Sequence, residues 1–209
     1  MNTEQILLSC GAIGGPLFIV LFLIDAALRP EFDALRQPVS ALSIGGRGWI
    51  QQTNFVVTGA LMLACGFGFC LALRPYAASF WESLLVALFA VGLIGAGVFV
   101  TDTTGLANDA PSSERRTTSG MVHDLFSLIV FVSLFADCFV FAHFFASVAS
   151  PAWAVYSGAT GLLFGAGFVL FARGFGGDSA LAPIAGLLQR ITIAIGWFWI
   201  SLVALHFLL

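Results

Sequence analysis

Lysine is missing from this 209-residue chain, and charge of either sign is scarce: eight arginines and eleven acids make up 9% of the residues and leave a net charge of -3 at pH 7. With no basic surplus to neutralise a run of phosphates, a nucleic-acid partner is excluded. Paired cysteines are also lacking. Cys10, Cys65, Cys70 and Cys138 all lie inside apolar runs, with no CxxC spacing and no polar loop to host a disulfide, so they read as small core residues. Nor is there a basic segment ahead of the first apolar run, and Leu8-Ser9-Cys10 precedes that run where a lipoprotein box would follow it, so the run reads as a retained helix. What is present is apolar: 59% hydrophobic residues and a mean hydropathy of +1.01, which no water-soluble surface tolerates. A multi-span membrane protein is the class that remains.

The expected fold is all-α, with six transmembrane helices in one bundle, read as a single domain over residues 1–209. The spans are Ile6 to Leu28, Gln51 to Leu73, Phe80 to Thr101, Gly120 to Ala146, Ala152 to Ala172 and Leu187 to Leu209. At 1.5 Å rise per residue each reaches roughly 30 Å, the thickness of a bilayer's hydrocarbon core. Turn residues separate them at Arg29-Pro30, Arg74-Pro75, Ala110-Pro111, Ser150-Pro151 and Gly176-Gly177. The alternation of barrel strands is absent, since Leu84 to Val100 is apolar at nearly every position. Glycines at 92, 95 and 97, and again at 158, 161, 165 and 167, mark where helices approach closely.

Six helices in series alternate between two faces, and one face carries all the long connections. Seven of the eight arginines, Arg29, Arg36, Arg47, Arg115, Arg116, Arg173 and Arg190, fall on or just inside it, leaving Arg74 on the other. The positive-inside rule makes that loop-rich face cytoplasmic in a plasma (inner) membrane, with both termini outside.

Polar residues converge on the same face. The stretch Arg29 to Asn54 is too apolar for a solvated loop and too rich in proline and glycine for a span, so it reads as a structured segment in the interface. At its end Gln51, Asn54 and Thr58 share one helix face. Asp102 ends the third span and His123 opens the fourth, so the carboxylate is expected to meet and orient the imidazole. His123 heads a stripe with Ser127 and Asp137, the last roughly 20 Å deeper, where an acid faces the bundle interior and finds a partner. Gln189 and Arg190 open the sixth span, and Asp25 stands four residues before Arg29, in reach of a local ion pair.

Four segments carry a resemblance: RPEFDALRQPVSALSIGGRGWIQQTNF at Arg29 to Phe55, GVFVTD at Gly97 to Asp102, the isolated His123, and GLLQR at Gly186 to Arg190. With these the chain resembles the domain-of-unknown-function 998 family of prokaryotic six-span membrane proteins. That resemblance implies the architecture and a set of key positions without a reaction. At greater distance the chain looks like membrane hydrolases related to alkaline ceramidases, in which serine, aspartate and histidines surround zinc. It departs from them because His143 and His206 lie near the face opposite His123, roughly 30 Å away, so three histidines do not converge and no metal or other cofactor is expected.

Three functional readings follow. In the first, the polar face forms a pocket for a lipid-like amphiphile, with Arg29, Asp33, Arg36, Ser40, Asn54, Gln189 and Arg190 as ligand-binding residues; the bilayer and such a lipid are the expected partners. In the second, a lipid-directed hydrolase or transferase uses Ser43, or Ser40, as nucleophile, His123 as base and Asp102 as its orienter. Arg190 or Arg36 then clamps a phosphate or carboxylate, and the amides of Ser43 to Gly46 receive an oxyanion. In the third, Asn54, Thr58, His123, Ser127 and Asp137 line a path for a solute or proton, or the charges pair among themselves as an accessory subunit's structural network.

Overall fold

The computed structural model describes residues 1–76, 79–102 and 116–209. The Ala110-Pro111 turn and Arg115 lie outside the described residues. Among the latter there are no strands, and six long helices fit a six-helix membrane bundle: α1 (Thr3–Ala27), α2 (Gly48–Ala72), α3 (Ser79–Val98), α4 (Thr118–Ser147), α5 (Pro151–Phe175) and α6 (Ala185–Leu208). The chain is therefore membrane-embedded, as its apolar runs require.

The ends of the helices follow local chemistry. Asn2 and Gln5 form a reciprocal capping box at the start of α1, and Pro151 occupies the first turn of α5, where a missing N–H costs nothing. α2 begins at Gly48, ahead of the apolar window, because the interfacial loop hands the chain directly into its first turn. α3 stops at Val98, short of Thr101, and α5 runs on to Phe175.

Each helix packs against the next in sequence, and α6 closes back on α1, so the six form a ring. Closure rests on small residues and rings: Ser201 donates to the Gly11 carbonyl at 3.1 Å, and Phe18 stacks on Trp197 with centroids 4.9 Å apart. A ring of six leaves a central space, which the two halves treat differently. Toward the short-loop face it is filled by Phe69, Phe141, Phe144, Phe145, Trp199 and Phe207 in edge and tilted contacts, with Phe69 and Phe141 5.1 Å apart. Toward the loop-rich face it stays hollow.

Candidate functional site

The loop between α1 and α2 is fixed at both of its ends. Near α1, the Arg29 guanidinium forms a two-point ion pair with Asp25, at 2.7 and 3.2 Å, and donates to the carbonyls of Ile44 and Arg47. Arg47 adds a second contact to Asp25 at 3.3 Å. Near α6, the Leu187 N–H, one of the unpaired donors of a helix start, reaches the Leu35 carbonyl at 3.0 Å. Gln189 accepts from the Val39 N–H at 2.9 Å, and Arg190 Nη1 donates to the carbonyls of Ala34, Gln37 and Gly186. The approach is close enough that a Cβ on Gly186 would stand 2.5 Å from the Gln37 oxygen and 2.8 Å from that of Ala34. The Arg29 to Phe55 and Gly186 to Arg190 segments are thus two halves of one lock, and a short 3-10 turn, Val39–Ser43, is held across the end of the ring.

Beneath this loop lies a cavity of about 870 Å³. Its mouth carries Arg36, Ser40, Thr101, Asp102, His123, Asp124, Ser127, Ser179 and Gln189. Its interior is walled by Phe18, Phe55, Phe89, Phe131, Phe164, Phe168, Phe171 and Trp197. On α4 the wall runs from His123 to Leu134, a descent of roughly 16 Å at 1.5 Å per residue. The cavity is therefore polar at membrane-surface depth and aromatic toward the bilayer interior.

Asp102 and His123 share this wall, but the expected hydrogen bond between them is replaced by two others. Asp102 accepts from the Thr117 N–H and hydroxyl at 2.9 and 2.5 Å, and the Thr117 oxygen in turn accepts from the Gly120 N–H, so the carboxylate completes the N-cap of α4. Gly120 has no side chain for this reason, since a Cβ there would overlap the carboxylate. His123 Nδ1 faces the carbonyls of Ala96 and Phe99, at 3.0 and 2.8 Å, which are among the unpaired acceptors ending α3. Facing two acceptors, Nδ1 carries the proton, and in the neutral ring Nε2 holds the lone pair. Asp102 influences the ring through space alone.

The other expected residues divide sharply. Ser40, Arg36 and Gln189 line the cavity. Ser43 does not: it is buried at 2% exposure, its hydroxyl has no hydrogen-bond partner among the described residues, and its carbonyl accepts from Gln52. The Ile44 amide expected to receive an oxyanion is taken by Ala41. Arg29 belongs to the lock, and Asp33 accepts from the Leu35 and Arg36 amides in a turn of its own. Arg190 holds the loop and lies under the Phe32 ring, 5.2 Å from its centroid, with Nε and Nη2 buried and without hydrogen-bond partners among the described residues. Asn54 donates to the Phe18 carbonyl and to Gln51, and Thr58 to the Asn54 carbonyl. Neither these two nor Asp137 joins the wall of this cavity.

Sequence reasoning passed over Glu82. It sits in the first turn of α3, where an acid is ordinarily a favourable helix start, yet it is fully buried and both carboxyl oxygens lack hydrogen-bond partners among the described residues. Asp137 is in the same condition, and the two interact electrostatically. The missed signal was an acid inside an apolar span, Phe80 to Thr101, that contains no basic residue. The histidines stay apart: His143 lines a second cavity near the short-loop face, and His206 packs on Trp153 at 4.5 Å. Among the described residues no three His, Cys, Asp or Glu side chains gather as a metal-binding group.

No curated protein and no solved structure matches the chain. One family does, described as a protein of unknown function (DUF998), over residues 12–206. That match takes in α2 to α5 whole, most of α1 and α6, the loop lock and the cavity between them, and the chain belongs to the DUF998 family.

Proposed function

We propose that the loop-covered cavity binds a lipid-like amphiphile, its polar head at the mouth beside Arg36, Ser40, His123 and Gln189 and its apolar tail among the phenylalanines. The observation that carries this reading is the graded wall. A small polar solute would leave the deep aromatic half empty, and a purely apolar one would leave the mouth unpaired. Arg36, half-exposed and held only loosely to Asp33 at 3.7 Å, is free to turn to an anionic head, whereas Arg29 and Arg190 are committed to the loop. The direct test is photocrosslinking with a phospholipid bearing a diazirine in its acyl chain, in membranes containing the full chain. Adducts are expected on the α4 and α5 peptides that contain Phe131, Phe164 and Phe168. Labelling confined to outward-facing residues such as Leu162 and Val155 contradicts the reading.

A membrane-embedded hydrolase or transferase acting on that lipid is the second reading, favoured by the fixed tautomer of His123. An Nε2 lone pair in the same wall as Ser40 is the arrangement of a general base and a nucleophile, with Asp102 adding negative charge nearby. Ser40 takes the nucleophile's part here and Ser43 does not. A fluorophosphonate reagent should then label Ser40 in the wild type and not in His123→Ala; absence of labelling in both removes the enzymatic reading and leaves the binding one intact.

The membrane expected is the plasma (inner) membrane, with the loop-rich face cytoplasmic. In support, Arg29, Arg36, Arg47, Arg116, Arg173 and Arg190 stand at that end of the bundle and Arg74 at the other. A membrane-impermeant thiol reagent should reach Thr3→Cys from outside intact cells. Reaction only after the cytoplasmic face is opened reverses the orientation.

A further inference from the structure

The second cavity, about 720 Å³, lies at the short-loop end between α3 and α4, away from the loop lock. Its wall includes Glu82, Tyr76, Trp81, Phe144 and His143. Trp81 and Tyr76 are more than two-fifths exposed, at 58% and 45%, so the cavity opens to the headgroup layer where such side chains gather. Glu82 itself is 0% exposed, and among the described residues neither of its oxygens has a hydrogen-bond partner. Asp137 stands within electrostatic reach, equally buried and equally unpartnered. Arg74, the nearest arginine in sequence, makes no ion pair among the described residues.

Two buried carboxyls are costly, and His143, the basic side chain on this wall, makes no ion pair with either of them among the described residues, so the cost is relieved by a cation that brings its charge into the cavity. The walls decide which kind. An inorganic ion asks for several oxygen ligands around one point, and here one carboxylate is set among aromatic rings. An alkylated ammonium asks for one carboxylate and aromatic faces. We infer that the second cavity is a binding site for an organic ammonium group, seated on Glu82 against Tyr76, Trp81 and Phe144 with Asp137 behind it. The ammonium belongs either to a lipid headgroup or to a soluble amine, and the chemistry at Glu82 is the same for both.

The test uses the full chain in a maltoside detergent, titrated calorimetrically with choline. In parallel, the chain is placed in nanodiscs of mixed phosphatidylcholine and phosphatidylglycerol, and native mass spectrometry reads which lipid is retained on release. Wild type is expected to bind choline, or to retain phosphatidylcholine over phosphatidylglycerol. Choline binding assigns a soluble amine, and lipid retention without it assigns a headgroup. Glu82→Gln, a neutral isostere whose folding is checked by thermal melting, should weaken the ammonium-bearing probe by about tenfold or more. Ser127→Trp, which fills the first cavity, should leave it unchanged, so failure of the amphiphile reading is told apart from failure of this one. Equal binding by Glu82→Gln, or no preference for the ammonium probe in wild type, overturns the inference.

Discussion

Asp25 and Glu82 are both buried acids, 2% and 0% exposed, one toward each end of the helical ring. Asp25 is met by Arg29 on both oxygens and by Arg47, and those arginines in turn hold carbonyls of the interfacial loop. Among the described residues Glu82 is met by no hydrogen-bond donor, and Asp137, the acid that interacts with it, is another unpartnered carboxyl. The first is a charge that the chain satisfies from within, and its work is to place the loop over the hollow half of the ring. The second is a charge left unanswered beside an opening. Burial by itself therefore does not mark a functional acid; burial without a partner, next to accessible space, does.

The contrast breaks most visibly at the satisfied end. Arg29→Ala leaves Asp25 buried with half of its partners gone and releases the Ile44 and Arg47 carbonyls. Its expected cost is about 3–5 kcal/mol, the usual range for removing one partner of a buried pair. Denaturant or thermal unfolding in detergent checks it, and a loss under about 1 kcal/mol would mean that Arg47 alone suffices. Gly186→Ala should follow, at about 1–3 kcal/mol, because the new methyl collides with the Ala34 and Gln37 carbonyls and pushes the loop from α6. Lipid retention should fall with it, since the mouth of the cavity is built on that contact.

At the unsatisfied end the same logic reverses. Glu82→Gln and Asp137→Asn remove a potential charge that has no internal partner, so each should change stability by less than about 1 kcal/mol, and in the stabilising direction where it changes at all. A cost comparable with that of Arg29→Ala would make Glu82 a structural acid and erase the comparison. The smallest stability effect is expected for Arg36→Ala, within about 0.5 kcal/mol, since its pair with Asp33 is long and solvent-exposed. Its effect should instead be on anionic amphiphiles, read as weaker retention of phosphatidylglycerol with unchanged melting.

The six spans were legible because a bilayer demands about twenty apolar residues in a row, and nothing else in the chain imitates that. The ordered loop was legible too, from apolar side chains among prolines and glycines. Ring closure was not, because the meeting of α1 with α6 joins the two ends of the chain and leaves no local pattern. Around His123 the structure brings Asp102 and the imidazole to one wall and gives each of them other partners. Adjacent helices placed Asp102 and the imidazole at one face, but the unpaired amides starting α4 and the unpaired carbonyls ending α3 claimed them separately. Ser43 looked like the nucleophile from its glycine neighbours, yet those glycines serve a turn, with Gly45 at φ +79°, and of the two loop serines it is Ser40 that lines the cavity. Arg190 was read as a candidate clamp, and its hydrogen-bonded nitrogen holds backbone carbonyls of a loop some 150 residues away in sequence, a partner that no spacing rule reveals.

The central claim is that the hollow half of the ring holds an amphiphile. Native mass spectrometry of the wild-type chain, of Ser127→Trp and of Glu82→Gln, all purified gently from the same membranes, tests it most directly, because the tryptophan occupies the cavity from its wall without touching the loop lock. The account predicts a defined lipid-mass adduct on the wild type that Glu82→Gln keeps, released only at high collision energy, and its loss from a Ser127→Trp variant that still melts cooperatively. Retention of that adduct on Ser127→Trp, or none of defined mass on the wild type, would contradict it.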